Sequence, residues 1–142
     1  MKEIRHTGIV VSDMERSLEF YRDLLGLKVS VDFCEKGNYI DNVVGLQDTE
    51  LRMVKLTTDD GSMIELMQFL SHPVDSPLKN KIYDLGCSHV AFTVDDLDKE
   101  YQKLMDNGIS FNCPPIISPD GYAKVTYCHD PDGISIELVE VL

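Results

Sequence analysis

The sequence predicts an α+β fold: two tandem βαβββ modules forming a curved eight-stranded mixed sheet. Two observations predict it. The first is an internal repeat. His6-Thr7-Gly8-Ile9-Val10-Val11-Ser12-Asp13-Met14 reads against His89-Val90-Ala91-Phe92-Thr93-Val94-Asp95-Asp96-Leu97, with His6 falling on His89, Val11 on Val94 and Asp13 on Asp96 at one constant offset. Asp60-Gly61-Ser62-Met63-Ile64-Glu65-Leu66 reads in the same way against Asp132-Gly133-Ile134-Ser135-Ile136-Glu137-Leu138. The second observation is size. A chain of 142 residues makes one domain with a real core, whereas each half is small to stand alone, so the halves are expected to share a core. Module 1 is expected over about 1–70, a linker over 71–86 and module 2 over about 87–142.

Residues 4–11 read as a strand. Ser12 to Glu15 has the Ser-x-x-Glu form of a capping box. A helix follows, with Met14, Leu18, Tyr21, Leu24 and Leu25 on one face, and Gly26 ends it. Leu27–Glu35 is expected as a strand, with a short helix around Tyr39–Val44 in the polar stretch that follows. Leu51–Thr58 and Ser62–Leu70 flank Asp59-Asp60-Gly61 as a hairpin, and the two prolines of Ser71–Pro77 mark the linker. The second half repeats the plan. Cys87–Val94 is a strand, and Asp95 or Asp96 caps a helix that turns Leu97, Tyr101, Leu104 and Met105 inward and stops at Asn107-Gly108. Ile109–Cys113 is expected as a strand, and Pro114, Pro115 and Pro119 mark a loop. Tyr122–His129 and Ile134–Val141 form a hairpin about Asp130-Pro131-Asp132-Gly133, whose Pro and Gly stand at favoured turn positions.

Apolar residues make up 43% and charged residues 27%, as in a globular protein. The net charge of −12 argues against nucleic acid and against an anionic membrane surface, which both need a basic footprint. The Met-Lys-Glu-Ile start has no apolar signal core, and no apolar run approaches the roughly 18 residues of a membrane span. The four cysteines, Cys34, Cys87, Cys113 and Cys128, form no Cys-x-x-Cys pair. A cytoplasmic protein with reduced thiols acting as small core fillers is expected.

Side chains alternate across a strand. In the second half Val90, Phe92 and Val94 share one face, while Cys87, His89, Ala91 and Thr93 share the other; Glu137 opposes Ile136 and Leu138. In the first half Ile9 and Val11 oppose His6, and Ile64 and Leu66 oppose Glu65, with Met63 and Met67 as groove wall. His6, Glu65, His89 and Glu137 therefore all lie on the face turned from the helices. Taken singly, a strand His is more often structural and a strand Glu solvated. Their recurrence in matching register predicts a shared metal site in a groove of the curved sheet. Mixed imidazole and carboxylate donors suit one divalent ion: Ni, Zn, Co, Mn or Fe. His72, in the linker, and His129, at the turn, are expected outside this site.

The doubled βαβββ plan, the two His-x-x-hydrophobic-x-Val-x-Asp openings, the Phe-Tyr-x-x-Leu-Leu-Gly-Leu helix end at Phe20–Leu27 and the Asp-Pro-Asp-Gly-x-x-Ile-Glu-Leu ending at Asp130–Leu138 resemble the vicinal oxygen chelate superfamily. Glyoxalase I, methylmalonyl-CoA epimerase, fosfomycin resistance enzymes, extradiol dioxygenases and bleomycin-binding proteins belong to it. The resemblance covers nearly the whole chain and implies metal ligands at His6, Glu65, His89 and Glu137, the ligand set of glyoxalase I. It also implies a homodimer and a small-molecule substrate. Two departures concern glutathione: positions that contact it in glyoxalase I carry Val10 and Phe69 here. The stretch from Ser76-Pro77-Leu78 to Leu97 is similar to methylmalonyl-CoA epimerases.

The resemblance thus implies a glyoxalase I-like lyase or isomerase that moves a proton next to a carbonyl, with metal stabilising the enediolate. Glu137 is expected as the base, with Glu65 as its pseudo-symmetric partner. An epimerase acting on an acyl-CoA thioester is the alternative, for which Lys79, Lys81 and Lys124 are candidate anion contacts. A non-catalytic small-molecule binding or resistance protein is the alternative of another class.

Overall fold

Each half of the sequence folds around a four-stranded mixed sheet, following its repeated apolar patterning. The computed structural model describes residues 2–73, 81–86 and 89–142. The chain divides into two compact units, Met1–Pro77 and Leu78–Leu142. The predicted linker contains that division. Lys79, Cys87 and the Ser76-Pro77-Leu78 part of the epimerase-like stretch lie outside the described residues.

The first unit runs β1 (Thr7–Val10), α1 (Met14–Leu18, continuing as a π-helical turn over Glu19–Leu24), β2 (Lys28–Lys36), α2 (Asn38–Val44), β3 (Glu50–Thr57) and β4 (Met63–Phe69). The sheet order is β1-β4-β3-β2, with β1 parallel to β4 and the other neighbours antiparallel. The second unit runs β5 (His89–Thr93), α3 (Leu97–Asp106), β6 (Ile116–Ile117), β7 (Ala123–His129) and β8 (Ser135–Val141), in the order β5-β8-β7-β6, with β5 parallel to β8. Among the described residues the eight strands are hydrogen-bonded as two ladders of four, and seven of them overlap predicted strands, β6 being the exception.

In the first unit Ile9, Val11, Met14, Leu18, Phe20, Tyr21, Val54, Leu56 and Leu66 are buried. In the second, Leu97 and Leu104 of α3 are fully buried, as are Cys128, Ile136 and Leu138 of the sheet. Burying such a side chain fully contributes roughly 1.5–3 kcal/mol. The starts of α1 and α3 are each tied to the last strand of their sheet. Met14 N donates to Gln68 Oε1 at 3.2 Å and Gln68 Nε2 donates to Ser12 O at 3.0 Å; Leu97 N donates to Glu140 Oε2 at 2.8 Å. Gln68 and Glu140 each stand three residues after the repeated Glu.

Several local expectations are corrected. The N-cap of α1 is Asp13, whose carboxylate accepts from Arg16 N, and not Ser12 of the predicted capping box. Helix α3 shows which of its two candidates caps: Asp96 accepts from Lys99 N. The π-helical turn closes with Leu25 N donating to Phe20 O at 2.9 Å. This wider turn brings Phe20 inward beside Tyr21 and leaves Leu24 and Leu25 half-buried, displacing the predicted stripe. In α3 Tyr101 is half-buried and Met105 exposed, so the buried stripe is narrower than predicted. Strand β1 starts at Thr7 because its partner β4 starts at Met63, leaving residues before Thr7 without a ladder; Ile4 is exposed. Ile109–Cys113 forms no strand, only an isolated bridge between Phe111 and Cys128. Pro114 and Pro115 have no N–H to extend that ladder, and pairing resumes at Ile116–Ile117. Cys128 is a core filler, but Cys34 is exposed on β2. No helix among the described residues is long and apolar enough to cross a membrane.

Candidate metal centre

The repeat becomes two similar half-sites, one in each unit. In the first, β1 runs parallel to β4 with Gly8 opposite Glu65. His6 stands two residues before Gly8, so its side chain leaves on the face of Glu65. His6 Nε2 lies 3.2 Å from Glu65 Oε2. The other oxygen, Oε1, lies 3.4 Å from Lys55 Nζ. Lys55 is the residue directly opposite Glu65 in the β3–β4 ladder. Glu65 is only 7% exposed, and a carboxylate that deep is costly unless partnered. His6 Nδ1 is buried without a hydrogen-bond partner among the described residues, so Nε2 is the ring nitrogen engaged.

In the second unit β5 runs parallel to β8 with Ala91 opposite Glu137, and His89 again stands two residues earlier. His89 Nε2 lies 3.1 Å from Glu137 Oε2. The residue opposite Glu137 in the β7–β8 ladder is Tyr127. Its hydroxyl lies 3.5 Å from His89 Nε2, and the two rings meet edge-on with centroids 5.4 Å apart. Burial above all, then the charge of Glu137 and the hydrogen bond to it, push the Tyr127 hydroxyl above its ordinary value. Tyr127 is therefore a proton-bearing donor at neutral pH.

The donor chemistry fits a divalent ion. Two N or O donors each about 2.1 Å from one ion and at right angles stand about 3 Å apart. The His–Glu spacings of 3.2 and 3.1 Å match that separation, which is also that of a hydrogen bond. Among the described residues the donors come as pairs, and no group of three His, Cys, Asp or Glu forms.

Residues 3–138 match the model of the Glyoxalase/Bleomycin resistance protein/Dioxygenase superfamily. The chain belongs to this superfamily. Among its relatives are YwkD of Bacillus subtilis (strain 168), 31% identical over 99% of this chain and 98% of that one, and a lactoylglutathione lyase of Escherichia coli O157:H7, 30% identical over 95% of this chain and 90% of that one. A solved glyoxalase family protein from Bacillus cereus has a TM-score of 0.91 at 26% identity, covering 100% of this chain and 95% of that one.

For this superfamily member, the structure also places the remaining predicted residues. Met63 and Met67 are half-buried in β4. His72 is exposed and contacts Ser71 Oγ; His129 Nε2 lies 3.0 Å from Asn112 Oδ1. Lys124 is held by Asp98 at 2.8 Å and Glu140 at 2.9 Å, which occupies a cation considered for CoA. Lys81 lies over the Tyr83 ring, 5.5 Å from its centroid. Sequence reasoning missed Lys55 and Tyr127. Both could have been found by counting outward from the Asp-Gly turns, because each stands as far before its turn Asp as its Glu stands after it.

Proposed function

We propose that this chain is a metal-dependent lyase or isomerase of the glyoxalase I type, moving a proton on the carbon next to a carbonyl of a small substrate. The observation that carries the reading is the His–Glu pair repeated at one register in both sheets, His6 with Glu65 and His89 with Glu137. We assign these four side chains to one divalent ion. When bound, that ion would supply positive charge to the substrate oxygen on which negative charge develops.

The chain's own residues divide the remaining work. His6 and His89 present Nε2 beside their Glu partners. Glu65, flanked by His6 and Lys55, is the more enclosed carboxylate; its side chain is 10% exposed against 20% for Glu137. Glu137 is the proposed base, taking the proton on a carboxylate oxygen. Tyr127 donates to Glu137 and orients it. Val10 and Phe69 fall where the resemblance implies glutathione contacts, so the proposal adopts the reaction type and not that thiol. The relative named lactoylglutathione lyase supports the reaction type.

The test compares two assays on metal-loaded protein: turnover of methylglyoxal with glutathione, cysteine or coenzyme A as the thiol, and solvent deuterium uptake at C2 of a methylmalonyl thioester. Proton transfer in the first assay, abolished in Glu137→Gln, supports the reading. Activity confined to the second assigns the chain to the epimerase alternative. Tight ligand binding with neither activity assigns it to the binding proteins.

A further inference from the structure

Lys55 introduces a positive charge where a metal reading alone has no use for one. Its ammonium lies 3.4 Å from Glu65 Oε1, while Glu65 Oε2 faces His6 Nε2 at 3.2 Å. The cation thus stands one carboxylate away from the donor pair. A cation there repels a divalent ion and weakens its binding. The fold does not demand it either. The second sheet puts Tyr127 at the same ladder position opposite its own Glu, and that half-site forms without a cation.

Lys55 is also equipped to reach a ligand. Its side chain is 22% exposed. An ammonium has three donors on a flexible four-carbon stem, and the contact with Glu65 occupies one of them at long range. The useful partner of such a group beside a metal is a negatively charged oxygen.

We propose that Lys55 is a specificity-determining residue that binds an anionic oxygen of the substrate, selecting an α-hydroxy or α-keto carboxylate over its neutral analogue. This rests on the reading of His6 and Glu65 as metal donors.

The experiment uses the full chain loaded with Co²⁺, and two probes that offer the same neighbouring oxygens: lactate, which is anionic, and lactamide, which is neutral. Binding of each is titrated by calorimetry, with metal content measured on the same samples, in wild type, Lys55→Met, Lys55→Arg and Lys28→Met. The last removes an equal charge from an exposed pair with Asp59. Lys55→Met is expected to keep its Co²⁺, to keep its affinity for lactamide and to lose about 10- to 100-fold in affinity for lactate, the scale of a charge-assisted hydrogen bond. Lys55→Arg should restore most of that preference, and Lys28→Met should match wild type. A metal-loaded Lys55→Met that still prefers lactate as wild type does, or a wild type with no preference, overturns the role of Lys55 alone. A wild type that takes up no Co²⁺ overturns the metal reading and the proposal with it.

Discussion

Lys55 and Tyr127 hold the same place in the two sheets. Each lies directly opposite the repeated Glu of its unit, Lys55 across from Glu65 and Tyr127 across from Glu137. Around them the half-sites match: a His two residues before the parallel-strand partner of the Glu, and a His–Glu separation of 3.2 Å in one and 3.1 Å in the other. The repeat thus preserves the His–Glu pair and varies the group behind it. That difference distinguishes the two carboxylates, one flanked by a cation and the other by a phenol.

The first prediction concerns Glu137. Glu137→Gln keeps an oxygen at the same place but cannot take a proton. Turnover, or deuterium uptake into substrate, should fall by about 10²–10⁴-fold while part of the metal is retained. A variant with wild-type exchange would remove Glu137 from the base role.

How much of this was legible follows from where each signal resides. The pairing of His6 with Glu65 and of His89 with Glu137 was readable because strand alternation is strict, and a repeat that carries both a His and a Glu fixes their faces. Lys55 and Tyr127 required the hairpin register, which the turns imply only once their residues are counted. Asp13 as the N-cap was hidden by Ser12, since both residue types cap well and only the backbone shows which is extended. The wider turn over Glu19–Leu24 carries no distinct periodicity signal, so the inward position of Phe20 was missed. Ile109–Cys113 looks like a strand by composition, and the prolines after it decide otherwise.

The second prediction tests the caps. Asp96 accepts from Lys99 N at 3.0 Å at the start of α3, the ten-residue helix of the second unit. Asp96→Ala should cost about 1 kcal/mol, read as a lower urea midpoint with an unchanged slope. An unaltered midpoint would mean that solvent caps this helix as well as Asp96 does.

The third prediction is an acid dependence. The backbone N–H of Leu97, then the ammonium of Lys124, hold the Glu140 carboxyl below its ordinary value of 4.5. A carboxyl with a depressed folded value stabilises the fold above its unfolded value, and that contribution is lost as pH falls through the folded one. Unfolding midpoints should therefore drop as pH is lowered from about 4.5. The drop should be shallower in Glu140→Gln. Parallel curves for the two proteins would show that Glu140 is not responsible.

The fourth prediction separates the thiols. Burial pushes the Cys128 thiol up to about 12, whereas Cys34 is exposed. Only the thiolate is a good nucleophile. At pH 8 iodoacetamide should label Cys34 readily and Cys128 only after denaturation, as read by peptide mass spectrometry. Fast labelling of Cys128 in the native protein would contradict its burial.

The central claim is that the two His–Glu pairs hold one metal ion. Elemental analysis of the purified protein beside His89→Ala tests it most directly. The account predicts near-stoichiometric Ni, Zn, Co, Mn or Fe in the wild type and its loss in the variant. A wild type with no metal and no uptake on titration, or a variant that retains the metal in full, would contradict it.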